Sequence, residues 1–196
     1  MTTSRNNHFV IVLEGANGVG KSTQARLLHK AISTQARLLH KAISTYKKDE
    51  VWRFHDGNDI KTSGNSSVTA ALKYSANRAH LCRDIFPELP SRNIILLDRF
   101  WPSTLVYQGT EPGMCEHIHA LNRMACGEYY EADAWCFLHN EIQSAAAERY
   151  LYLSQVSWAH RPSWRFQTGG DTSPDQTCAQ IVEWIMPKIA AWRTTL

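Results

Sequence analysis

Residues His8–Thr23 read HFVIVLEGANGVGKST, and this stretch decides the fold. His8 to Leu13 is a short continuous apolar run, the pattern of a strand buried on both faces of a parallel sheet. Gly15-Ala-Asn-Gly-Val-Gly20-Lys21-Ser22 then matches the spacing GxxxxGK[ST], between that strand and a helical pattern that starts at Ser22. Glycines in such a loop let consecutive backbone N–H groups turn inward around a phosphate, and the following helix adds the positive end of its dipole. Lys21 is expected to bridge the β- and γ-phosphates of ATP and the Ser22 hydroxyl to ligate Mg²⁺. Gly15, Asn17, Gly18, Gly20 and Thr23 complete the expected cradle.

The alternation continues outward from this segment. Val51–Phe54, Ile94–Leu97 (ending at Asp98), Ala134–Leu138 and Trp164–Gln167 are further strand candidates. Helical patterns occupy Ser22–Thr45, Val68–Phe86, Cys115–Cys126, Glu141–Val156 and Pro174–Trp192. Strands alternating with helices imply right-handed crossovers. The expected fold is α/β: a parallel sheet of about five strands, flanked by helices on both faces, in one domain over residues 1–196. Gly57–Ser67 and Gly169–Pro174 are polar and carry glycine, so they read as loops.

Ser22–Ile32 and Ser33–Ile43 both read STQARLLHKAI, an unbroken tandem duplication in two copies. Eleven residues at ~100° each turn through ~1100°, only ~20° past three full turns. Ala25, Leu28 and Ile32 therefore recur on nearly the same helix face as Ala36, Leu39 and Ile43. A continuous helix from Lys21 to about Thr45 would be ~38 Å long, close to the full diameter of a domain this size. One copy is expected to pack on the sheet, and the other to protrude, loop out or find a partner.

Composition narrows the function. Across 196 residues, 21 Lys+Arg against 18 Asp+Glu give a net charge of +3, which points away from a dedicated nucleic-acid binder. Apolar types at 43% and charged types at 20% exclude wholesale disorder. No apolar stretch approaches the ~20 residues that span a bilayer. The polar start Met1–His8 lacks the apolar core of a signal peptide, so a cytoplasmic chain without a membrane partner is expected. The cysteines number 5, an odd count without a CxxC pair, so a disulfide framework is not expected. Cys115-Glu-His117-Ile-His119 offers metal-type side chains but no fourth ligand at a recognisable spacing, and reads as a polar turn entering a helix.

Asp98 closes the IILL strand, at the sheet edge where parallel α/β folds present ligand-facing residues. A carboxylate there can hold Mg²⁺ or accept a proton, and Arg99 beside it suits an anionic substrate. An N-cap with a surface ion pair has the same local sequence.

These residues fit a larger pattern. LEGANGVGKST, then LKYSANR with Tyr74 and Ser75-Ala-Asn-Arg78, then LLDRFWPSTLVYQG with Asp98-Arg99-Phe100, Ser103, Tyr107, Gln108 and Gly109, resemble the thymidylate kinase family in order and spacing. That family has a FEGxxGxGKST loop, a helix with an aromatic and (S/A)xxR, and DR(Y/H/F) before S…YQG. The segment SPDQTCAQIVEWIMPKIAAW resembles its final helix, and Asp-Arg-Phe-Trp-x-Ser-Thr is also similar to the mitochondrial UMP–CMP kinase branch. The resemblance implies a P-loop NTPase-type fold, a small nucleotide substrate and a homodimer. It implies that Tyr74 stacks on the substrate base, Arg78 bonds a base carbonyl, and Gln108 reads the base edge. Tyr107 would sit against the sugar, Ser103 would line the substrate site, Asp98 would serve the metal, and Arg99 the acceptor phosphate. Read alone, Tyr74 also fits a core aromatic on an amphipathic helix and Arg78 a surface ion-pair residue.

Three segments depart from the family. Asn17 stands where an acidic residue usually reaches the sugar hydroxyl. Arg53-Phe-His55-Asp56-Gly57 replaces the (R)EPGG-type segment, leaving Arg53 as the nearest acceptor-phosphate ligand. Arg149-Tyr150-Leu151-Tyr152-Leu153 resembles the helix that follows the lid, yet begins soon after Leu138, so most of the lid is missing. Arg149, Arg161 and Arg165 are the basic residues left to stand in for a lid arginine, with Arg149 the catalytic candidate. The implied reaction moves the ATP γ-phosphoryl group to a pyrimidine deoxynucleotide, dTMP foremost. A deoxynucleoside kinase and a nucleotide-binding homologue with little turnover are the alternatives.

Overall fold

The computed structural model describes residues 8–42, 51–55, 66–155 and 162–195. The polar start, the helix end at Thr45, most of the Gly57–Ser67 loop, Val156 and Arg161 lie outside them. Five strands form: β1 (Phe9–Glu14), β2 (Val51–His55), β3 (Ile94–Asp98), β4 (Ala134–His139) and β5 (Ser163–Gln167). They pair in parallel in the order β2-β3-β1-β4-β5. Every residue of β1 and β3 is buried, which explains why both read as continuous apolar runs rather than alternating ones. Each aliphatic side chain in Val10–Leu13 and Ile94–Leu97 is fully withdrawn from water, worth roughly 1.5–3 kcal/mol apiece. β5 is an edge strand, and of its residues only Phe166 is buried.

The strand order reverses at β1. The chain leaves β1 outward to β2, returns to β3, and then crosses β1 to β4. This makes the gap between the carboxyl ends of β1 and β3 a topological switch point, where open α/β sheets bind ligands. Leu13 pairs with Asp98, so the Gly15–Lys21 loop and Arg99 emerge side by side.

Helices α1 (Lys21–Ala42) and α6 (Pro174–Thr194) pack together on one face. Helices α2 (Ser67–His80), α3 (Trp101–Gln108), α4 (Met114–Cys126) and α5 (Ala145–Gln155) cover the other. Ser66 caps α2 by accepting from the Thr69 amide, and Ser173 with Gln176 forms a capping box at α6. α2 is shorter than its periodicity suggests. It passes at Leu81–Ile85 into a π-helical turn and at Phe86–Glu88 into a 3₁₀ turn, because Pro87 supplies no N–H and disfavours helix before it. α3 escapes the sequence pattern because Trp101–Val106 are all buried, leaving no polar face to reveal a helical period. α5 starts at Ala145 rather than Glu141, where the Ser144 hydroxyl accepts from the Ala147 amide at 3.1 Å.

α1 is continuous through the duplication as far as Ala42. Its 22 residues make ~33 Å of helix, against ~20 Å of strand in the 6 residues of β1, so α1 is longer than that strand by about one copy. The first copy carries the described core contacts, with Ala25, Leu28 and Ile32 at most 1% exposed. Among the described residues no helix is long and apolar enough to cross a membrane.

Candidate active site

The phosphate loop is shaped by its backbone. At Gly15 φ is +149°, and a Cβ there would collide with the Leu138 carbonyl oxygen at the end of β4. Gly20 takes φ +80° at the entry to α1, where the Gln24 amide donates to the Gly20 carbonyl at 2.9 Å. Lys21 is 6% exposed and folds back over the loop, its Nζ donating to the Ala16 carbonyl at 2.5 Å. Burial, and then the nearby Arg99 charge, push its pKa down to about 8, against the pull of Glu14 and Asp98.

Ser22 and Asp98 meet where β1 and β3 end. The Ser22 hydroxyl donates to Asp98 Oδ2 at 2.7 Å, while the buried Asp98 Oδ1 has no hydrogen-bond partner. A hydroxyl and a carboxylate with one buried oxygen to spare form a hard-oxygen donor set, and these residues fit Mg²⁺. Nothing resembling a zinc cluster appears among the described residues. Cys115 and His119 lie within α4 rather than in a turn before it, and His119 Nδ1 is 2.6 Å from the Tyr130 hydroxyl.

Arg99 gathers several of the expected residues. Its φ is +72°, an unusual conformation for a residue with a side chain. Nη2 donates to Asn17 Oδ1 at 2.6 Å. Nη1 donates to the Gly15 carbonyl at 3.2 Å, Ser103 Oγ at 3.1 Å and the Tyr150 hydroxyl at 3.2 Å. The guanidinium lies 5.5 Å from the Tyr107 ring centroid. Asn17, Arg99, Ser103 and Tyr107 thus form one cluster above the loop.

The remaining candidates are placed differently. Arg78 is 1% exposed and donates to Asn122 Oδ1 at 2.8 Å and to the Phe100 carbonyl at 3.2 Å, with the Tyr74 ring 5.8 Å from its guanidinium. It therefore braces α2, α4 and the end of β3. Gln108 is half-buried at the last turn of α3, and Arg53 is exposed in β2, two residues before that strand ends. Arg149 is exposed on α5 and reaches α3, donating to the Val106 carbonyl at 2.7 Å. Arg165 borders a shallow pocket with Ala16, Val19, His139 and Asn140.

Sequence reasoning missed two buried groups. Glu14 is fully buried, and its carboxylate accepts from the Phe100 amide at 2.7 Å, Ser103 Oγ at 2.7 Å and the Tyr150 hydroxyl at 3.1 Å. Burial raises its pKa above the ordinary carboxylate value, although Arg99, Ser103 and the Phe100 amide pull the other way. The signal was one acidic residue closing an apolar strand. Gln24 is the second. It is 2% exposed, its Nε2 donates to the Pro174 carbonyl at 2.9 Å, and its Oε1 has no partner. It lines a cleft of about 160 Å³ with Gly18, Gly20, Thr23, Asn140 and Thr168, on the α6 side of the loop.

Comparison with known proteins identifies the family. Residues 13–152 match the family model described as thymidylate kinase. The thymidylate kinase of Symbiobacterium thermophilum is 36% identical over 122 residues, covering 60% of this chain and 56% of that protein. The thymidylate kinase of Synechococcus sp. is 33% identical over 150 residues, covering 74% of this chain and 71% of that protein. Against the first relatives, of Symbiobacterium thermophilum and Pelobacter propionicus, the matched stretch spans just over half of each length, 56% and 55%. The crystal structure of thymidylate kinase from Ehrlichia chaffeensis superposes with a TM-score of 0.71 at 20% identity, over 91% of this chain and 98% of that one, a likeness of fold.

Proposed function

We propose that this chain, which belongs to the thymidylate kinase family, transfers the γ-phosphoryl group of ATP to a pyrimidine deoxynucleoside monophosphate, dTMP foremost. The observation that carries the reading is the Ser22–Asp98 hydrogen bond at the switch point, with Lys21 on one side and Arg99 on the other. The reaction forms a bond between an acceptor phosphate oxygen and Pγ and breaks the bond from Pγ to the β-phosphate oxygen, so that ADP leaves with the displaced electron pair. Such transfer needs positioning and positive charge more than covalent chemistry.

In this reading the amides of Gly15–Lys21 and the Lys21 ammonium bind the β- and γ-phosphates, and the cleft beside Gln24 and Thr23 receives the donor nucleoside. Ser22 and Asp98 hold Mg²⁺, which when bound neutralises charge developing on the phosphates. Arg99 meets the acceptor phosphate, with Arg53 as a second ligand. Tyr74, Arg78, Ser103, Tyr107 and Gln108 shape the acceptor base and sugar site, and Arg149 stands nearest to the role of a lid arginine. The same family resemblance extends to a homodimer, which size-exclusion chromatography checks. A coupled ADP-release assay across dTMP, dUMP, dCMP, UMP and thymidine tests the whole reading. The expected outcome is release with dTMP above the other monophosphates and none with thymidine. Release with thymidine alone, or ATP binding without release, overturns it.

A further inference from the structure

We propose that Tyr150 is a positioning residue for the transfer: its hydroxyl, shared with Ser103 and the buried Glu14 carboxylate, holds the Arg99 guanidinium over the phosphate loop, so that helix α5 sets how Arg99 meets the acceptor phosphate. The inference rests on the reading of Arg99 as the acceptor-phosphate ligand. Arg99 sits at φ +72°, a conformation that is costly for a side-chain-bearing residue and persists only where the surroundings impose it. Two constraints impose it here. The Glu14 carboxylate takes the amide of the next residue, Phe100, at 2.7 Å, and the hydroxyls of Ser103 and Tyr150 take Nη1 at 3.1 and 3.2 Å.

Each of the two hydroxyls has a single proton, and each can donate it to Glu14 Oε2, at 2.7 Å from Ser103 and 3.1 Å from Tyr150. The two hydroxyls also lie 2.7 Å from each other, so Tyr150 can donate its proton to Ser103 Oγ or directly to Glu14, and either way a lone pair on each remains for Arg99. Among the described contacts, the Arg99 hydrogen bonds end on neutral oxygens, and the Glu14 carboxylate that acts on its charge is linked to it through the Ser103 and Tyr150 hydroxyls. A direct ion pair would neutralise the guanidinium, whereas a hydroxyl relay orients it and leaves its charge for an incoming anion. Burial pushes the Tyr150 hydroxyl well above the ordinary tyrosine value, so it stays protonated as the relay requires. Its ring stands edge-on to Tyr107 at 6.2 Å, and Tyr107 in turn faces Arg99. α5 follows the Asn140–Ser144 segment, whose Ile142 lies over the loop tip at Gly18. Helix α5 and the segment that leads into it therefore bear on Arg99 and on the phosphate loop.

The test is Tyr150→Phe, which deletes one oxygen and keeps the buried ring. The acceptor KM is expected to rise about 10-fold with the ATP Kd nearly unchanged, and the melting temperature to fall by only a few degrees. In wild-type protein the Arg99 Nη signals in NMR should show slowed guanidinium rotation, and in Tyr150→Phe that rotation should become fast. Ser103→Ala removes the other relay hydroxyl and is expected to free the Arg99 rotation in the same way, so that readout decides the inference even if Tyr150→Phe folds poorly. Unchanged acceptor KM, or acceptor and ATP affinities falling together, overturns it. If wild-type protein phosphorylates no acceptor, the functional reading fails separately. Arg99 rotation that Tyr150→Phe leaves unaltered would then overturn the positioning role by itself.

Discussion

In the proposed reading, one unbroken run from Gly15 to Gln24 supplies the donor side of this site: the cradle, the ammonium, the Mg²⁺-type hydroxyl and the start of the helix. On the acceptor side, Arg99 is oriented by oxygens from Gly15, Asn17, Ser103 and Tyr150, the last 51 residues away in sequence. The donor side is shaped by backbone conformation, and a substitution there acts through φ angles and amides. The acceptor side is shaped by side chains converging from separate elements, and a substitution there removes one strut and leaves others. Damage to the first should be abrupt, and damage to the second graded.

The sharpest way to break this contrast is Lys21→Ala. Loss of the ammonium should lower turnover by on the order of 10³-fold, as charge on the transferring group is lost. The fold should not suffer. The Lys21 pKa is about 8 in the folded protein against an ordinary 10.5, so at pH 7 the folded state carries a penalty of up to about 3 kcal/mol for a buried charge. Between pH 8 and 10.5 the unfolded chain binds more protons than the folded one, and wild-type stability should rise there with pH. Urea melts of Lys21→Ala should show equal or greater stability at pH 7 and a flat profile across that range. Asp98→Asn comes next. Transfer should fall ~10²–10³-fold while ATP binding persists, since binding leans on loop amides and Lys21. Equilibrium dialysis beside the ADP-release assay separates the two, and a wild-type rate would make Asp98 a strand-end cap.

Two smaller effects test the same contrast in stability and in pH. Gly15→Ala forces a Cβ into the Leu138 carbonyl at φ +149° and should cost ~2–4 kcal/mol in urea unfolding. Asn17→Ala, which removes one acceptor-side strut, should cost about 1 kcal/mol. Equal costs would erase the distinction. ATP affinity should also weaken above pH 8, approaching tenfold per pH unit, because phosphate must meet a protonated Lys21. Calorimetry in buffers of different ionisation heat should find proton uptake on ATP binding near pH 8.5, and none in Lys21→Ala.

The same division explains what the sequence revealed. The parallel sheet was legible because β1, β3 and β4 are buried on both faces and read as apolar runs. The phosphate loop was legible because its spacing is contiguous and its glycines answer local geometric needs. Ser22 and Asp98 each read as an Mg²⁺ ligand, and their meeting needs only two strand ends side by side. Glu14, Tyr150 and Asn122 were illegible as a set, because their meaning lies in hydrogen bonds between elements far apart in sequence. Arg78 shows this from the other direction. Its motif suggested a reader of the base, yet its described bonds run to Asn122 and the Phe100 carbonyl, a pairing no local pattern announces.

The smallest expected effect comes from deleting Ser33–Ile43, and it asks whether the donor-side run is self-contained. The deletion joins Ile32 to Ser44 and leaves every residue from Gly15 to Ile32 in place, including the buried Ala25, Leu28 and Ile32. It shortens α1 to ~18 Å, a match for the ~20 Å of β1, and removes the length in excess of that strand. A helical turn that extends beyond its core contributes only its weak intrinsic propensity, tenths of a kcal/mol per residue at most. The melting temperature should therefore hold or rise by a few degrees, and ADP release with dTMP should be unaltered. Apolar residues recur in the second copy at the spacing of the first, so size-exclusion chromatography should show no more self-association after the deletion than before, and less if that copy presents an apolar stripe. A shortened protein that melts well below the full chain would make the duplication an integrated part of the fold. The donor side would then depend on contacts beyond its own run, as the acceptor side does.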